Sequence, residues 1–274
     1  MVRGFVCPVC AGEDFHQFTG YPKRNWAVYA CSGCTNAYTF PQPGQVSYDE
    51  HRFADHYQKD EPRWRSYATP ILKFIGRQVP SGRLLDVGCA GGLLIDEALR
   101  LGYQAEGIEP SSVGVSYCLQ RGLQVRRGYF EADTYPSETF SVVVLAHVVE
   151  HVPDALALLR SARRVLRPNG VLCLSQTNYL GTIPKTFGRY WPYWVPQEHL
   201  VHFSPSGLRA LLAKAGFEVV AHQFSSLDYP VNLELSNFRH WPGTGLFAVL
   251  RVISRLHLGL PFQGDQMYVL ARPG

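Results

Sequence analysis

The chain has 274 residues, 46% of them hydrophobic, and a formal net charge of +4. That is enough for one full domain with an appendage, and cations this few and this scattered do not build a nucleic-acid surface, so nucleic acid is not expected as a partner. No apolar run reaches the length of a membrane-spanning helix, and Met1-Val2-Arg3 leads into no apolar stretch of the kind a signal peptide needs.

The first chemistry in chain order is a pair of C-x-x-C turns, Cys7-Pro-Val-Cys10 and Cys31-Ser-Gly-Cys34. Each turn points two sulfurs at one point, and together they read as a tetrahedral thiolate zinc site. An iron–sulfur centre or a pair of disulfides would use the same cysteines. The other three, Cys89, Cys118 and Cys173, fall in a loop, a helix and a strand, a usage that fits a reducing cytoplasm. With a strand expected over 25–30, residues 1–44 read as a zinc ribbon, too small to bury a sufficient core without its metal. Its role is open between a structural appendage and a clamp, the latter suggested by Lys23, Arg24 and Trp26. Pro41 to Gly44 reads as a linker to a second domain over 45–274.

An aromatic and histidine-rich stretch, Tyr48 to Tyr57, precedes a helix predicted from Arg65 to Val79 and ended by Pro80-Ser81-Gly82. Leu84, Leu85 and Val87 form a buried strand with Asp86 near its end. Gly88, Gly91 and Gly92 then let the backbone turn sharply. A helix follows from Gly92 to Leu101, with Leu94, Ala98 and Leu101 on one face. Tyr103 reads as packing, and Gln104 to Ile108 as a second strand closing on Glu109-Pro110. This strand–loop–helix–strand layout builds a nucleotide-type pocket at the carboxyl edge of a parallel sheet. It has neither the G-x-G-x-x-G spacing of dinucleotide binders nor a P-loop lysine.

Phe140 to Leu145 is the next buried strand, with Ala146 and His147 at its carboxyl end, where open sheets receive ligands. A helix from Asp154 to Leu166 carries Leu156, Leu159, Ala162 and Leu166 on one side. Arg160, Arg163, Arg164 and Arg167 read as its solvated stripe. Pro168-Asn169-Gly170 turns the chain into a strand over Gly170 to Ser175. Another helix opens at Ser204-Pro205 and closes at Gly216, and strands are expected at Phe217–Ala221 and Met267–Ala271. Between those strands an insertion over 227–266 reads as a lid or interface. It contains an apolar helix, Thr244 to Leu258, that can cover the core or a substrate, form a dimer face or touch a membrane surface.

The runs LLDVGCAGG, GIEP, TFSVVVLAHVVEHV and RRVLRPNGVLCLSQTN together resemble the class I S-adenosylmethionine (SAM)-dependent methyltransferases over roughly Arg63 to Val220. The resemblance implies an α/β fold: a Rossmann-like seven-stranded sheet with helices on both faces. It also implies SAM as methyl donor and puts Asp86, Gly88, Cys89, Ala90, Gly91, Gly92, Glu109, Pro110, Ala146 and His147 around it. SAM is a zwitterion with a sulfonium, so a helix amino end and Asp86 suit its carboxylate and ammonium, and Glu109 falls on the ribose-binding position. Two departures from the family stand out: Ala90 where glycine is frequent, and Ser141 where aspartate is common. In such enzymes a stretch like 48–57 is often a lid.

The segment QEHLVHFS, Gln197 to Ser204, resembles a branch of zinc-ribbon deoxysugar C-methyltransferases whose adjacent Glu-His pair does acid–base work, which would fall on Glu198 and His199. His199 is the first candidate for general base because an imidazole titrates near neutrality; a structural hydrogen bond is its plainer role. Glu198 would orient it, and His147 competes from beside the methionine end. Glu150-His151 is read as structural. A His199/His202 metal pair lacks a third ligand, and Tyr190, Trp191, Tyr193 and Trp194 either wall an acceptor or pack a lid. The acceptor expected is a small molecule: a sugar, glycolipid or secondary metabolite. RNA or protein gripped by the ribbon, and a cofactor-binding scaffold without catalysis, are the alternatives.

Overall fold

The structure is a computed structural model and describes residues 4–21, 25–42, 61–225 and 264–274. The expected lid at 48–57, Lys23 and Arg24, the end of the linker and the apolar helix at 244–258 lie outside the described residues.

In chain order the elements are β1 (Phe15–Tyr21), β2 (Trp26–Cys31), β3 (Ala37–Phe40), α1 (Glu61–Gly76), β4 (Arg83–Val87), α2 (Leu93–Arg100), β5 (Gln104–Glu109), α3 (Ser112–Gln120), β6 (Val125–Arg127) and β7 (Phe140–Ala146). There follow α4 (Ala155–Val165), β8 (Leu166–Thr177), α5 (Thr182–Phe187), β9 (Val201–His202), α6 (Pro205–Lys214), β10 (Phe217–Ser225) and β11 (Gln266–Pro273). No helix among the described residues is long and apolar enough to cross a membrane.

Seven strands form one sheet in the order β10-β11-β8-β7-β4-β5-β6. β8, β7, β4, β5 and β6 run parallel, and β11 lies antiparallel between β8 and β10. The chain leaves β4 toward β5 and β6, then returns to β7 on its other side. That reversal makes the carboxyl end of β4 the switch point at which open sheets hold ligands.

Burial on both sheet faces follows from the strand period of two. Leu85, Val143, Leu145, Leu172 and Leu174 meet α4 and α6 through Leu159, Ala162, Leu208 and Leu212. Leu84, Val142, Val144, Val171 and Cys173 meet α1, α2 and α3 through Leu72, Ile75, Ile95, Ala98 and Cys118. The central strands therefore read as continuous apolar runs, and each fully buried Val or Leu contributes about 1.5–3 kcal/mol.

Several expected boundaries shift for identifiable reasons. α1 begins a turn early, at Glu61, where Arg65 donates to its carboxylate at 2.8 Å and Tyr117 donates at 3.1 Å. Leu101 is not on a buried face: α2 stops at Arg100, and Leu101 turns outward and is 49% exposed. Pro168-Asn169-Gly170 does not precede the fifth core strand but bulges within it. Phe140 pairs with Leu166 and Val142 with Val171, so two steps along β7 match five along β8. β10 extends past Ala221 to Ser225 because β11 pairs with it along that length. The four arginines are exposed as expected, but Arg167 falls in β8 beyond the end of α4, and two of the three on the helix are tied down. Arg163 donates to the carbonyls of Gly216 and Gly274, and Arg164 to that of Tyr135.

The amino-terminal strands form an antiparallel β1-β2-β3 meander, and a fourth strand joins them from outside the ribbon. β9 pairs with β3 through Ala37↔His202 and Tyr38↔Val201. Around this ladder Ser204 N donates to Asn36 Oδ1, the Thr35 hydroxyl lies 2.6 Å from that of Ser204, and Tyr179 donates its hydroxyl to the Thr35 carbonyl. The same face buries Trp191, Trp194, Tyr179 and Phe187 against Val28, Ala30 and Ala37. Trp191 and Trp194 thus pack the ribbon onto the core.

Candidate active site

The loop after β4 is shaped by backbone conformation. Gly88, Ala90 and Gly92 all have positive φ, at 71°, 46° and 71°. The chain curls at every second residue, the kind of turn that gathers amides into an anion-binding concavity. A Cβ on Gly88 would stand 2.8 Å from Val148 Cγ2, so only glycine fits there without a shift. Gly92 faces away from the cleft: a Cβ on it would meet Leu123 and Cys118 at 2.6 and 2.8 Å. Its task is to start α2 and seat that helix on α3, whereas Gly88, Cys89, Ala90 and Gly91 border the cleft itself.

Two carboxylates face this loop from the ends of β4 and β5. Glu109 is 5% exposed; one oxygen accepts from Ala90 N at 2.9 Å and the other from Ser111 N at 2.8 Å. Burial raises its pKa, and the two amide bonds oppose that shift. Each oxygen keeps a further lone pair for a hydroxyl donor. Asp86 is 4% exposed, and burial, reinforced by the charge of Glu109, pushes its carboxyl up to about 8. Among the described residues no cation contributes to that shift. A buried carboxyl beside another carboxyl is complementary to a cationic group. Amides at a curled loop and helix start, Asp86, and a bidentate acceptor at Glu109 match the carboxylate, ammonium and ribose hydroxyls of SAM, so the donor set fits that cofactor.

Ala146 and His147 end β7 on the rim of the same cleft. His147 has a φ of 55°, an uncommon conformation for a residue with a side chain. Its backbone amide donates to Ser175 O at 2.9 Å. Its Nδ1 lies 3.3 Å from Glu150 Oε1, at ion-pair distance, and its Nε2 lies 3.4 Å from Gln266 Nε2. That network assigns the proton to Nδ1 and leaves Nε2 as an acceptor. Glu150 is 1% exposed. Burial alone would raise its pKa, but the His147 contact and the charges of His151 and His147 outweigh it and hold the carboxyl down to about 2. His199 adds little charge, because burial, then His151, push its own pKa well below the ordinary value.

His199 and Glu198 both line the cleft. His199 is buried, its Nδ1 has no hydrogen-bond partner among the described residues, and its ring stands edge-on to His151 at 4.8 Å. The Glu198 backbone carbonyl faces His151 Nδ1 at 3.1 Å. His202 belongs elsewhere. Its Nε2 lies 2.9 Å from Thr39 Oγ1, and it is not among the groups able to share an ion with His199. Instead of His202, Glu150 and His151 stand beside His199, with one ligand atom of each of the three within 4.8 Å of the others. The i, i+3 spacing of His147 and Glu150 was the available signal.

The cleft, about 1630 Å³, continues beyond the cofactor residues into a mainly apolar chamber. One wall is α4 and its approach, with Val152, Ala155 and Leu156. The ribbon also lines the chamber, with Phe5, Val6, Pro8 and Val9. Sequence reasoning missed the ribbon's part in this lining because only chain folding brings residues 5–9 to α6, where Lys214 Nζ holds the Pro8 and Val9 carbonyls at 3.0 and 3.3 Å. Tyr193 also lines the chamber, whereas Trp191 and Trp194 do not.

Cys7, Cys10, Cys31 and Cys34 converge so that all four sulfurs lie within 4.8 Å of one another. The Cys7–Cys34 and Cys10–Cys31 separations are 3.5 and 3.4 Å. Tetrahedral zinc with bonds of about 2.3 Å requires sulfurs about 3.8 Å apart, so the set fits that ion. Gly33 allows the close turn, since a Cβ there would stand 3.0 Å from Cys10 Sγ. Hydrogen bonding from Cys34, and then from Tyr38, lowers the Cys7 pKa against the effect of its burial.

A family model described as a methyltransferase domain matches residues 52–222. A ubiquinone biosynthesis O-methyltransferase of Cereibacter sphaeroides is 36% identical over 153 residues, covering 50% of this chain and 61% of the relative. One from Xanthomonas campestris is 37% identical over 116 residues, covering 39% of this chain and 48% of the relative. The chain thus spans about half to three fifths of the length of these relatives. Among solved structures, a SAM-dependent methyltransferase from Archaeoglobus fulgidus superposes with a TM-score of 0.56 at 17% identity, covering 79% of this chain and 99% of the other. Another from Thermotoga maritima gives 0.55 at 17% identity, covering 81% and 99%.

Proposed function

Because the chain belongs to the methyltransferase-domain family, we propose that it transfers a methyl group from SAM to a small molecule with an apolar or aromatic body, and that four cysteines hold a structural zinc ion in the ribbon. The observation that carries this reading is the single cleft in which the Asp86/Glu109 pair opens into an apolar chamber walled by α4 and the ribbon. The apolar wall favours a lipid-like or aromatic acceptor over a bare sugar.

SAM, when bound, supplies an electrophilic methyl group on a sulfonium. The chain's own residues do the rest. Asp86 pairs with an ammonium, and Glu109 accepts from ribose hydroxyls while the Ala90 and Ser111 amides fix its orientation. Phe5, Val6, Val9, Val152 and Leu156 exclude water around the acceptor. His147 takes the acceptor's proton at Nε2, with Nδ1 oriented by Glu150, 3.3 Å away. His199 is too deeply buried, and too strongly held neutral, to be the first choice for that role.

The test is calorimetric titration with SAM, followed by incubation of the zinc-loaded protein with labelled SAM and fractionated cell extract. Binding, and label in an apolar small-molecule fraction, are expected. Absence of SAM binding in folded protein would overturn the reading, and label in RNA or protein would redirect the acceptor assignment. His147→Ala is expected to cut kcat while SAM affinity stays near normal.

A further inference from the structure

We propose that Glu150, His151 and His199 form a second metal centre, separate from the four cysteines, that holds a divalent transition-metal ion at the edge of the acceptor chamber. Each of the three offers one ligand atom, and those atoms lie within 4.8 Å of one another. The residues come from two distant stretches: the short turn Val149–His151 after β7, and the segment before β9. The Leu200 amide donates to Glu150 O at 2.9 Å and joins the two stretches directly beside the cluster.

The chemistry left unsatisfied there is that of an ion site. Glu150 is 1% exposed; among the described residues Oε2 has no hydrogen-bond partner, and Oε1 meets His147 Nδ1 at 3.3 Å without completing a hydrogen bond. His199 is 6% exposed, with Nδ1 unpartnered. A buried carboxylate without hydrogen bonds is strongly unfavourable unless a cation compensates it. His151 is oriented as metal-bound imidazoles commonly are, with its Nδ1 facing the Glu198 carbonyl at 3.1 Å. His147, 3.3 Å from Glu150, completes the surroundings.

Two imidazoles and one carboxylate form a donor set used by catalytic zinc, with a further position open. The nitrogen content favours zinc, cobalt or another late divalent metal over magnesium or calcium. Ligands about 2.0–2.2 Å from a tetrahedral ion are about 3.4 Å apart, a separation that side chains already within 4.8 Å of one another reach by small rotations. His151 and His199 line the cleft, so the open position faces the chamber and is suited to an oxygen of the acceptor. Only that last role rests on the methyl-transfer reading; metal binding itself does not.

The test uses the full chain with its cysteine site loaded. After equilibration with zinc and dialysis, elemental analysis is expected to find two equivalents in the wild type. Glu150→Gln and His199→Ala are expected to retain one, with affinity for the second ion lowered by more than about 100-fold, beyond the loss typical of an outer-sphere change. SAM binding monitors folding of both variants. Cobalt titration of the zinc-loaded wild type gives a second readout: visible d–d bands without the sulfur-to-metal charge transfer that thiolates produce. One zinc equivalent in the wild type, or a second equivalent that survives Glu150→Gln, would overturn the site and leave Glu150 paired with protonated histidines. If the variants fail to bind SAM, the wild-type stoichiometry and cobalt spectrum decide alone. A wild type that holds two ions but binds no SAM would refute the methyl-transfer reading and leave the metal centre standing.

Discussion

His202 Nε2 lies 2.9 Å from Thr39 Oγ1, and the backbone of His202 pairs with Ala37 in the same ladder. The chain that has just formed one side of the chamber thereby becomes the fourth strand of the cysteine-bearing sheet. Both rings of this junction are buried, with His202 edge-on to Trp194 at 4.9 Å.

Burial, opposed in part by the charge of Glu150, holds the His202 pKa down to about 3. An unfolded histidine takes up a proton near 6.5. The unfolded chain therefore binds more protons than the folded one between those values, and stability falls as pH drops through that window. His202→Asn is expected to flatten this dependence while lowering stability at neutral pH by about 1–3 kcal/mol through lost packing and an imperfect Thr39 bond. Denaturant melts from pH 4 to 7.5 would measure it; an unchanged slope would contradict the assignment.

Asp86 has the opposite sign. Its carboxyl is raised to about 8 by burial and by Glu109, so the cofactor-free protein carries it largely protonated at neutral pH. Its raised pKa costs stability progressively as pH climbs from the unfolded value of 3.8 toward 8. A ligand ammonium requires the ionised form. SAM affinity is expected to rise by nearly tenfold between pH 6.5 and 7.5, with release of close to one proton at pH 7. Calorimetry in buffers of different ionisation enthalpy reads the proton directly. Asp86→Asn should abolish the release, weaken SAM and raise the melting temperature of the cofactor-free protein.

The loop after β4 makes a two-sided prediction. Gly88→Ala forces a Cβ to 2.8 Å from Val148 at a φ of 71° and is expected to cost about 1–3 kcal/mol in stability together with most SAM binding. Ala90 holds a φ of 46° with its Cβ in place. Relief of that strain by Ala90→Gly, worth about 1–2 kcal/mol, is offset in part by glycine's chain entropy. The substitution should be neutral to stabilising and leave SAM affinity intact; a clear loss would mean that the methyl group at position 90 contacts the ligand.

Removal of the cysteine-bound metal should reach the acceptor more than the cofactor. Phe5, Val6, Pro8 and Val9 flank the first cysteine pair and wall the chamber, while Asp86 and Glu109 belong to β4 and β5. Cys10→Ser, at the exposed ligand, is expected to raise acceptor KM by about tenfold or more, a loss of ~1.4 kcal/mol or greater, with SAM affinity nearly constant. Equal losses for both ligands would make the ribbon a general stabiliser instead.

The sequence carried the sheet and the cofactor side of the cleft because both are written locally. The apolar runs at Leu84–Val87 and Phe140–Leu145, the glycines that permit positive φ, and Glu109 at the next strand end all lie within single strand–turn–helix units. Such units fold the same way wherever their period and turn chemistry agree. The four cysteines were legible for the same reason, since C-x-x-C is a local turn. The bulge at Pro168–Gly170 was not, because turn residues looked like a boundary although neighbouring strands held the ladder together across them.

By itself the sequence determined a doubly wound sheet, a curled loop with two acidic strand ends, and a cysteine module ahead of them. The tertiary structure alone decided that β9 completes the cysteine sheet, that Phe5, Val6, Pro8 and Val9 line one cleft with Leu156, that His202 bonds to Thr39, and that Glu150, His151 and His199 meet. Those pairings join positions about 50 to 165 residues apart. No local propensity encodes them; they arise when burial of Trp191, Trp194 and the ribbon's apolar face closes the chain on itself.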